Sequence, residues 1–304
     1  QFIHQGEVAD LQQGEHGGER RPSMPADSGE SIPGRASGGS TFLSIPLKNP
    51  PVLTAAEWIV LAAGFLAGAM NAIAGGGTML TFPALLAAGL PPVLANTTST
   101  VALWFGMPGS VWAFRRRLRE VRAWILPLGI VSLLGGLAGA LLLIRLPDSV
   151  FEAAVPWLIL GATALFLANE PIRRWAFAHA ADHDPEKPPR WGAAFQTGVA
   201  IYGGYFGAGI GIMMLAGLGL LGIRDLNRMN ALKNLLALLC NTAAMLFFLL
   251  TGSFDGRLVL ILLAGSIPGY FLGAHFAQRV PAKLVRFIVA AIGIGIAVSL
   301  LAKP

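Results

Sequence analysis

The sequence predicts an all-α polytopic membrane protein, and three observations predict it: a scarcity of charge, long apolar stretches between clusters of charge, and a glycine-rich break that occurs twice in the same context. Of the 304 residues, 54% are hydrophobic and only 12% charged, and the mean hydropathy is +0.63. An ordinary soluble domain is about 25% charged, and a charged surface keeps it dissolved. Here the charges gather in residues 1–50, 115–122 and 170–190. Val131 to Ile144 carries none, and Ala231 to Thr251 carries only Lys233. A net charge of +6 in a soluble chain would suggest nucleic acid. Here Arg and Lys sit at the ends of apolar runs, as in chains oriented by their basic loops, so the expected partner is the lipid bilayer and no nucleic acid. The single cysteine, Cys240, lies in mid-segment; it makes no disulfide within the chain and excludes a thiolate metal cluster.

Residues 1–50 are rich in Gly, Ser, Glu and Gln and poor in large apolar side chains. Such a stretch cannot bury enough surface to fold alone, so it is expected to be a disordered tail. No apolar run follows its charges before Leu53, which argues against a signal peptide. The sequence begins with Gln, and Met24 is a second possible start, which leaves the standing of residues 1–23 open.

From Thr54 onward, apolar segments follow one another at about 56–74, 78–90, 93–113, 123–144 and 150–168, then at about 192–210, 212–223, 229–251, 257–277 and 284–302. A straight crossing needs about 20 apolar residues, and the second segment of each five is too short. Each short segment follows glycines: Gly75, Gly76 and Gly77 in one half; Gly203, Gly204, Gly207, Gly209 and Gly211 in the other. With Gly64 set on Gly198, Ala74, Gly75, Gly77 and Met79 fall on Ala208, Gly209, Gly211 and Met213. In the same register Asn96 falls on Asn230, and Gly135, Gly139, Ala140, Arg145 and Pro147 fall on Gly269, Gly273, Ala274, Arg279 and Pro281. The clustering of matches predicts a repeat, with one copy over 54–168, a linker at 169–191 and the second copy over 192–302.

Basic residues in short loops mark the cytoplasmic side. Arg115, Arg116, Arg117, Arg119 and Arg122 form the densest cluster. If all ten segments cross, that loop, the linker with Arg173, Arg174, Lys187 and Arg190, the Arg224 and Arg228 turn, and the turn with Arg279, Lys283 and Arg286 all face the cytoplasm. Five crossings per half then make the two copies inverted relative to each other, an arrangement that places a transport site between the repeats at mid-membrane. Re-entrant short segments would give eight crossings and parallel copies, but would move Arg224 and Arg228 to the outer side.

The stretches GFLAGAMNAIAGGGTMLTFPALLAAGLPPVLANTTST (Gly64–Thr100) and GGYFGAGIGIMMLAGLGLLGIRDLNRMNALKNLL (Gly203–Leu236) resemble the sulfite exporter TauE/SafE family of membrane permeases. The shared pattern is a glycine-rich stretch, an apolar segment with proline, a Gly-Leu turn and a segment opening with Ala and Ser/Thr; Gly75 to Gly77, Pro83, Gly89-Leu90 and Ala95 to Thr100 match it. The resemblance covers about residues 54–302. It implies transport of a small sulfur-containing anion, sulfite or a sulfonate, across the cytoplasmic (inner) membrane, and leaves the substrate and direction open.

An anion at membrane depth needs hydrogen-bond donors and positive potential, and free N–H groups at a helix N-terminus supply both. Gly75, Gly76, Gly77 and Thr78, and their counterparts Gly209 and Gly211, therefore form candidate binding breaks, although small residues also serve close helix packing. Asn96, Thr97, Thr98 and Ser99, continued by Thr100, open the third segment as a polar run; one or two could face a ligand while the rest bond their own helix. Asn230, Lys233 and Asn234 occupy the same place in the second copy. A lysine inside a span suggests function, but Lys233 is one turn in and could snorkel to the surface. Asn71, ending the first span, is weighed between site and packing; Asn241, Thr242 and His275 read as structural. Glu57, Glu152, Glu170 and Asp225 lie at segment ends, and no acidic residue lies in mid-span. No GxxxxGK[ST] phosphate loop, HExxH motif or paired acid is present, so the chain reads as a secondary permease without cofactor or metal and not as an enzyme; a proton or sodium is a possible coupling ion, and the alternatives are a permease for another small solute and, less favoured, an intramembrane enzyme.

Overall fold

The computed structural model describes residues 53–73, 76–179, 187–276 and 282–302, with the side chains of residues 72, 73, 173, 177, 273–276 and 282–289 excluded. The expected tail at 1–50, with Met24, lies outside the described residues, as do Gly75, Arg279 and the side chains of His275, Lys283 and Arg286.

Every element among the described residues is helical. In chain order they are α1 (Ala55–Ile73), α2 (Thr78–Ala87), α3 (Pro92–Trp104), α4 (Met107–Ala113), α5 (Arg115–Leu118), a 3-10 turn (Arg119–Val121), α6 (Arg122–Arg145), α7 (Asp148–Leu167), α8 (Asn169–Ala178), α9 (Arg190–Tyr205), α10 (Ile210–Leu220), α11 (Leu226–Thr251), α12 (Gly256–Phe276) and α13 (Ala282–Leu301). Each of the ten expected segments corresponds to helix. Two details differ from the sequence reading. The segment expected as one piece over 93–113 breaks at Phe105 and Gly106, where the Tyr270 ring fills the space a Cβ on Gly106 would need and Pro108 stands in the first turn of the next helix. The linker at 169–191 contains a helix, α8, strapped by the Arg174–Glu170 pair (3.1 Å) and seated by buried Ala176.

Stretches 115–145, 148–167 and 226–251 are long and apolar enough to cross a membrane, and α1, α2, α10, α12 and α13 supply shorter apolar helices. With ten and eleven residues, α2 and α10 reach only about 15 Å, half of a bilayer core of about 30 Å. Burial runs inside out relative to a soluble protein. Thr81, Asn96, Thr97, Thr98, Ser99, Ser132 and Gln196 are buried, while Leu126, Leu134, Leu250 and Phe271 point outward. Lipid favours that distribution, because polar side chains must find partners within the protein.

Two helix pairs carry the frame, and they are built alike. In one, Gly265 and Gly269 of α12 press on the backbone of Leu61 and Phe65 in α1, while Gly68 presses on Ser266. In the other, Gly135 and Gly139 of α6 press on the backbone of Thr197 and Ile201 in α9, while Gly204 presses on Gly136. A Cβ at any of these glycines would meet backbone atoms too closely to fit, so the small residues set the interaxial approach. In this packing Gly135 and Gly139 lie on α9 as Gly265 and Gly269 lie on α1.

Directions follow from the same contacts. α1 and α12 start together, with Arg257 Nε 2.6 Å from Glu57 Oε1, and Tyr270 late in α12 bonds Asn71 late in α1. α6 and α9 also run the same way, Gln196 meeting Ser132 (2.9 Å) and Tyr205 lying against Gly139 further on. Trp104 Nε1 donates to Thr242 Oγ1 (2.8 Å), whereas Arg228 Nε reaches Glu120 Oε2 (2.8 Å). The chain from α3 to Glu120 thus advances while α11 recedes.

Candidate functional site

The first break lies between α1 and α2. Gly76 has φ +94°, and Gly77, at φ −55°, caps α2. The Gly77 N–H donates to Asn71 Oδ1 (2.7 Å), Asn71 Nδ2 donates to Tyr270 Oη (3.0 Å), and Tyr270 Oη donates to the Leu103 carbonyl (3.4 Å). This relay joins α1, α2, α3 and α12 at one level. Gly77 has no space for a side chain: a Cβ there would lie 2.6 Å from Asn71 Nδ2 and 2.8 Å from the Ala67 carbonyl oxygen.

The second break separates α9 from α10. Helix α9 ends at Tyr205, Gly207 and Gly209 both have φ +79°, and α10 opens at Ile210 with no side-chain cap. The Tyr202 hydroxyl donates to the Ala208 carbonyl (2.7 Å) and pins the turn. Gly211 is not part of the break; it is buried in the first turn of α10.

The two breaks converge on one stretch of α7. A Cβ built on Gly76 would lie 3.9 Å from Phe166, and one on Gly209 would lie 3.7 Å from Leu165 and 3.9 Å from Ala162. Between them lies a cavity of about 10 Å³, lined among others by Thr78, Met79, Thr163, Phe206, Ala208 and Gly293. That is room for about one water, so this conformation is closed around its centre. The Thr163 hydroxyl is buried at the cavity without a hydrogen-bond partner, and Gly293 of α13 leaves it space, since a Cβ there would meet Thr163 Oγ1. A helix threonine ordinarily bonds back to its own turn; one that does not is available to a ligand. Thr163 thus brings one buried, unpartnered hydroxyl to a small apolar chamber that Thr78, the first residue of α2, also lines.

The polar run on α3 is spread around its helix. Asn96 Nδ2 donates to the Tyr205 carbonyl (2.9 Å), at the end of α9. Thr97 bonds the Val93 and Leu94 carbonyls of its own helix (3.1 and 3.0 Å). Thr98 Oγ1 accepts the Asp255 N–H (2.9 Å) at the start of α12. Ser99 shares a 2.5 Å hydrogen bond with Thr81 of α2, and Thr100 bonds back to Asn96 (2.9 Å). Asn96, Thr98 and Ser99 each fasten a different neighbour while Thr97 and Thr100 bond their own helix, and Asn96 alone among them keeps a buried atom, Oδ1, without a partner. Asn230, Lys233 and Asn234 lie on α11, Lys233 buried and the two asparagines half-buried, and none of them lines the cavity. Of the predicted site residues among those described, Thr78 alone lines the cavity; Gly76 and Gly77 precede it in the chain and Gly209 follows Ala208, which lines it too. Thr163, Tyr270 and Gly293 escaped the sequence reading; a single hydroxyl deep in the apolar segment 148–167 was the available signal for Thr163. Asn241 and Thr242 bond back to Ala237 and Leu238, as structural residues do.

The profile of the sulfite exporter TauE/SafE family matches residues 60–300. The chain is similar to the "Probable membrane transporter protein ORF9" of a Sinorhizobium species, 29% identical over 248 residues, 80% of this chain and 91% of that one. It is also similar to a "Probable membrane transporter protein" of Haemophilus influenzae, 31% identical over 234 residues, 75% of this chain and 88% of the relative. The "Probable membrane transporter protein YfcA" of Escherichia coli K12 is 27% identical over 252 residues, 81% of this chain and 88% of that protein. No solved structure matches. Two converging helix breaks in an apolar helical bundle, and a family match across almost the whole described region, lead to one conclusion: the chain belongs to the sulfite exporter TauE/SafE family and is a membrane transporter.

Proposed function

We propose that the chain is a secondary permease that moves a small sulfur-containing oxyanion, sulfite or a sulfonate, across the cytoplasmic membrane by alternating access. The observation that supports this most is the buried, unpartnered Thr163 hydroxyl at a cavity that Thr78 and Ala208, one from each break, also line. The anion sits between the breaks, held by backbone N–H groups at Gly76 and Gly209 and by the hydroxyls of Thr78 and Thr163, while the Gly77 N–H stays with Asn71. No acidic side chain lies on α2 or α10 to repel it. Lys233, buried in α11, adds positive potential from the cytoplasmic side. The family's own description supports sulfite as the reference substrate.

The two copies, 54–168 and 192–302, are inverted about the site, with 169–191 as a cytoplasmic linker. The duplicated glycine pairs and the opposite travel of α3–α4 and α11 support this. Alternating access follows from the closed chamber: an oxyanion larger than water enters only when one copy rocks against the other. Thr98 and Ser99, which fasten α12 and α2 in the closed form, move with their copy.

The test is sulfite uptake into proteoliposomes, with sulfonates, sulfate and thiosulfate as competitors. A hydrogen bond to a charged group is worth about 1.5–3 kcal/mol, so Thr163→Val, with its shape nearly unchanged, raises the half-saturation concentration about ten- to a hundredfold. Lys233→Ala weakens uptake less, and Thr98→Ala lowers the turnover. Saturable transport by wild type with an unaltered half-saturation in Thr163→Val would remove the chamber from the pathway. Folded wild type that moves no anion would overturn the reading.

A further inference from the structure

We infer that the C-terminal end of α9 and the Asn96 carboxamide oxygen form a site for a monovalent cation, sodium in the first instance. Asn96 is 1% exposed, and its Nδ2 donates to the Tyr205 carbonyl. A carbonyl can only accept, so the amide cannot be turned over, and the free atom is the oxygen. Oδ1 is buried and has no hydrogen-bond partner. An oxyanion cannot satisfy an acceptor; a cation can. This changes the role expected of Asn96, which cannot donate to the transported anion while it holds Tyr205.

The surroundings have the same polarity. Helix α9 ends at Tyr205, and its last carbonyls have no following turn to donate to them. The Phe206 and Gly207 N–H groups both go to the Tyr202 carbonyl, which leaves the carbonyls of Gly203 and Gly204 without a backbone donor among the described residues. The helix dipole places partial negative charge at this end. Helices α3, α9 and α10 contain no Asp or Glu, so the oxygens are neutral. Neutral oxygens suit a single charge better than calcium or magnesium, which are bound through carboxylates. The second break would then serve two ions: the C-terminal side of α9 takes the cation, and the N-terminal side of α10 the anion. The coupling of the two rests on the permease reading; the cation site does not.

The experiment uses the full chain, purified in detergent and in proteoliposomes. Replacing choline by sodium at constant ionic strength raises the melting temperature by about 2–4 °C for each kcal/mol of linkage, with potassium and lithium as comparisons. Asn96→Leu, which removes the oxygen, abolishes the rise; Asn96→Asp, which keeps an oxygen and adds charge, retains it. Identical melting in sodium, potassium, lithium and choline by the wild type overturns the site and assigns the oxygen to water. A rise that survives in Asn96→Leu places the cation elsewhere and also overturns it. In proteoliposomes, sodium removal slows sulfite uptake about fivefold or more. Sodium stabilisation without anion transport leaves the cation site standing and sinks the anion reading. Sodium-independent transport without stabilisation does the reverse. Sodium stabilisation with sodium-independent transport keeps the site and removes the coupling.

Discussion

At the first break Gly77 has an ordinary helical φ of −55° and no room for a side chain; at the second, Gly209 has φ +79° and nothing closer than 3.7 Å to the place of a Cβ. One glycine is required by space, the other by dihedral angle. The surroundings differ in the same sense. The α2 N-terminus is held by Asn71, which Tyr270 of the other half holds in turn, while α10 starts without a side-chain cap. Helix α11 shows a third kind of start: Asp225, the residue before it, accepts the Arg228 N–H (2.8 Å) in the manner of a soluble protein. Helix α11 is capped by the residue before it, α2 by Asn71 from α1, and α10 by no side chain at all.

The largest effect that tests this contrast is at Gly77. Gly77→Ala forces its methyl into Asn71 and the Ala67 carbonyl. Overpacking of this kind costs about 1–3 kcal/mol, and loss of a cap adds about 0.5–2 kcal/mol. Gly209→Ala meets no neighbour and costs only the left-handed backbone, about 1–2 kcal/mol. Gly209→Asn costs less than Gly209→Ala because asparagine tolerates that conformation, while Gly77→Asn is worse than Gly77→Ala. Melting of the four purified variants in detergent measures the two orders. Equal orders at both positions would mean that the breaks are alike after all.

Tyr270→Phe separates the relay from the packing around it. The ring remains against Gly106, and only the hydroxyl that accepts from Asn71 and donates to Leu103 is removed. Net loss of a hydrogen bond is worth about 1 kcal/mol, less than Gly77→Ala. Since the hydroxyl orients the cap rather than the chamber, transport turnover falls while the half-saturation concentration for the anion holds. A change in half-saturation alone would place Tyr270 on the anion instead.

Composition and spacing were enough to read the helices, because lipid demands long apolar segments and the short ones stood out beside their glycines. The breaks were legible for the same reason: each short segment follows a cluster of glycines. The pairing of the helices was not, since the contacts of Gly135 with Thr197 and of Gly265 with Leu61 are invisible in sequence. Neither was the fate of the α3 run. Thr97, Thr98 and Ser99 look like a row of donors, but successive residues leave a helix about 100° apart: Thr97 bonds its own helix, Thr98 the start of α12 and Ser99 α2. Thr163 was hidden by the opposite problem, being one hydroxyl among many helix residues that usually bond to their own turn. Its lack of a partner exists only in three dimensions.

The smallest effect concerns the ordinary start. The Arg228 backbone N–H, donated to the Asp225 carboxylate, holds that carboxyl's pKa below the ordinary 3.8 against the opposing effect of burial. A depressed carboxylate pKa stabilises the fold above its unfolded value and loses that contribution as pH falls through the folded one. Melting temperature in the wild type therefore declines below about pH 4. Asp225→Asn keeps a side-chain oxygen for the Arg228 N–H, so its stability at pH 7 stays within a few tenths of a kcal/mol, about the spread among good caps. Its decline below pH 4 is shallower than that of the wild type, because one titrating cap is gone. The same substitution leaves the half-saturation concentration for the anion unchanged, since α11 begins in water and not at the chamber. A shift in that constant would connect the Asp225 cap to the breaks and remove the distinction between the starts that face water and those that face the site.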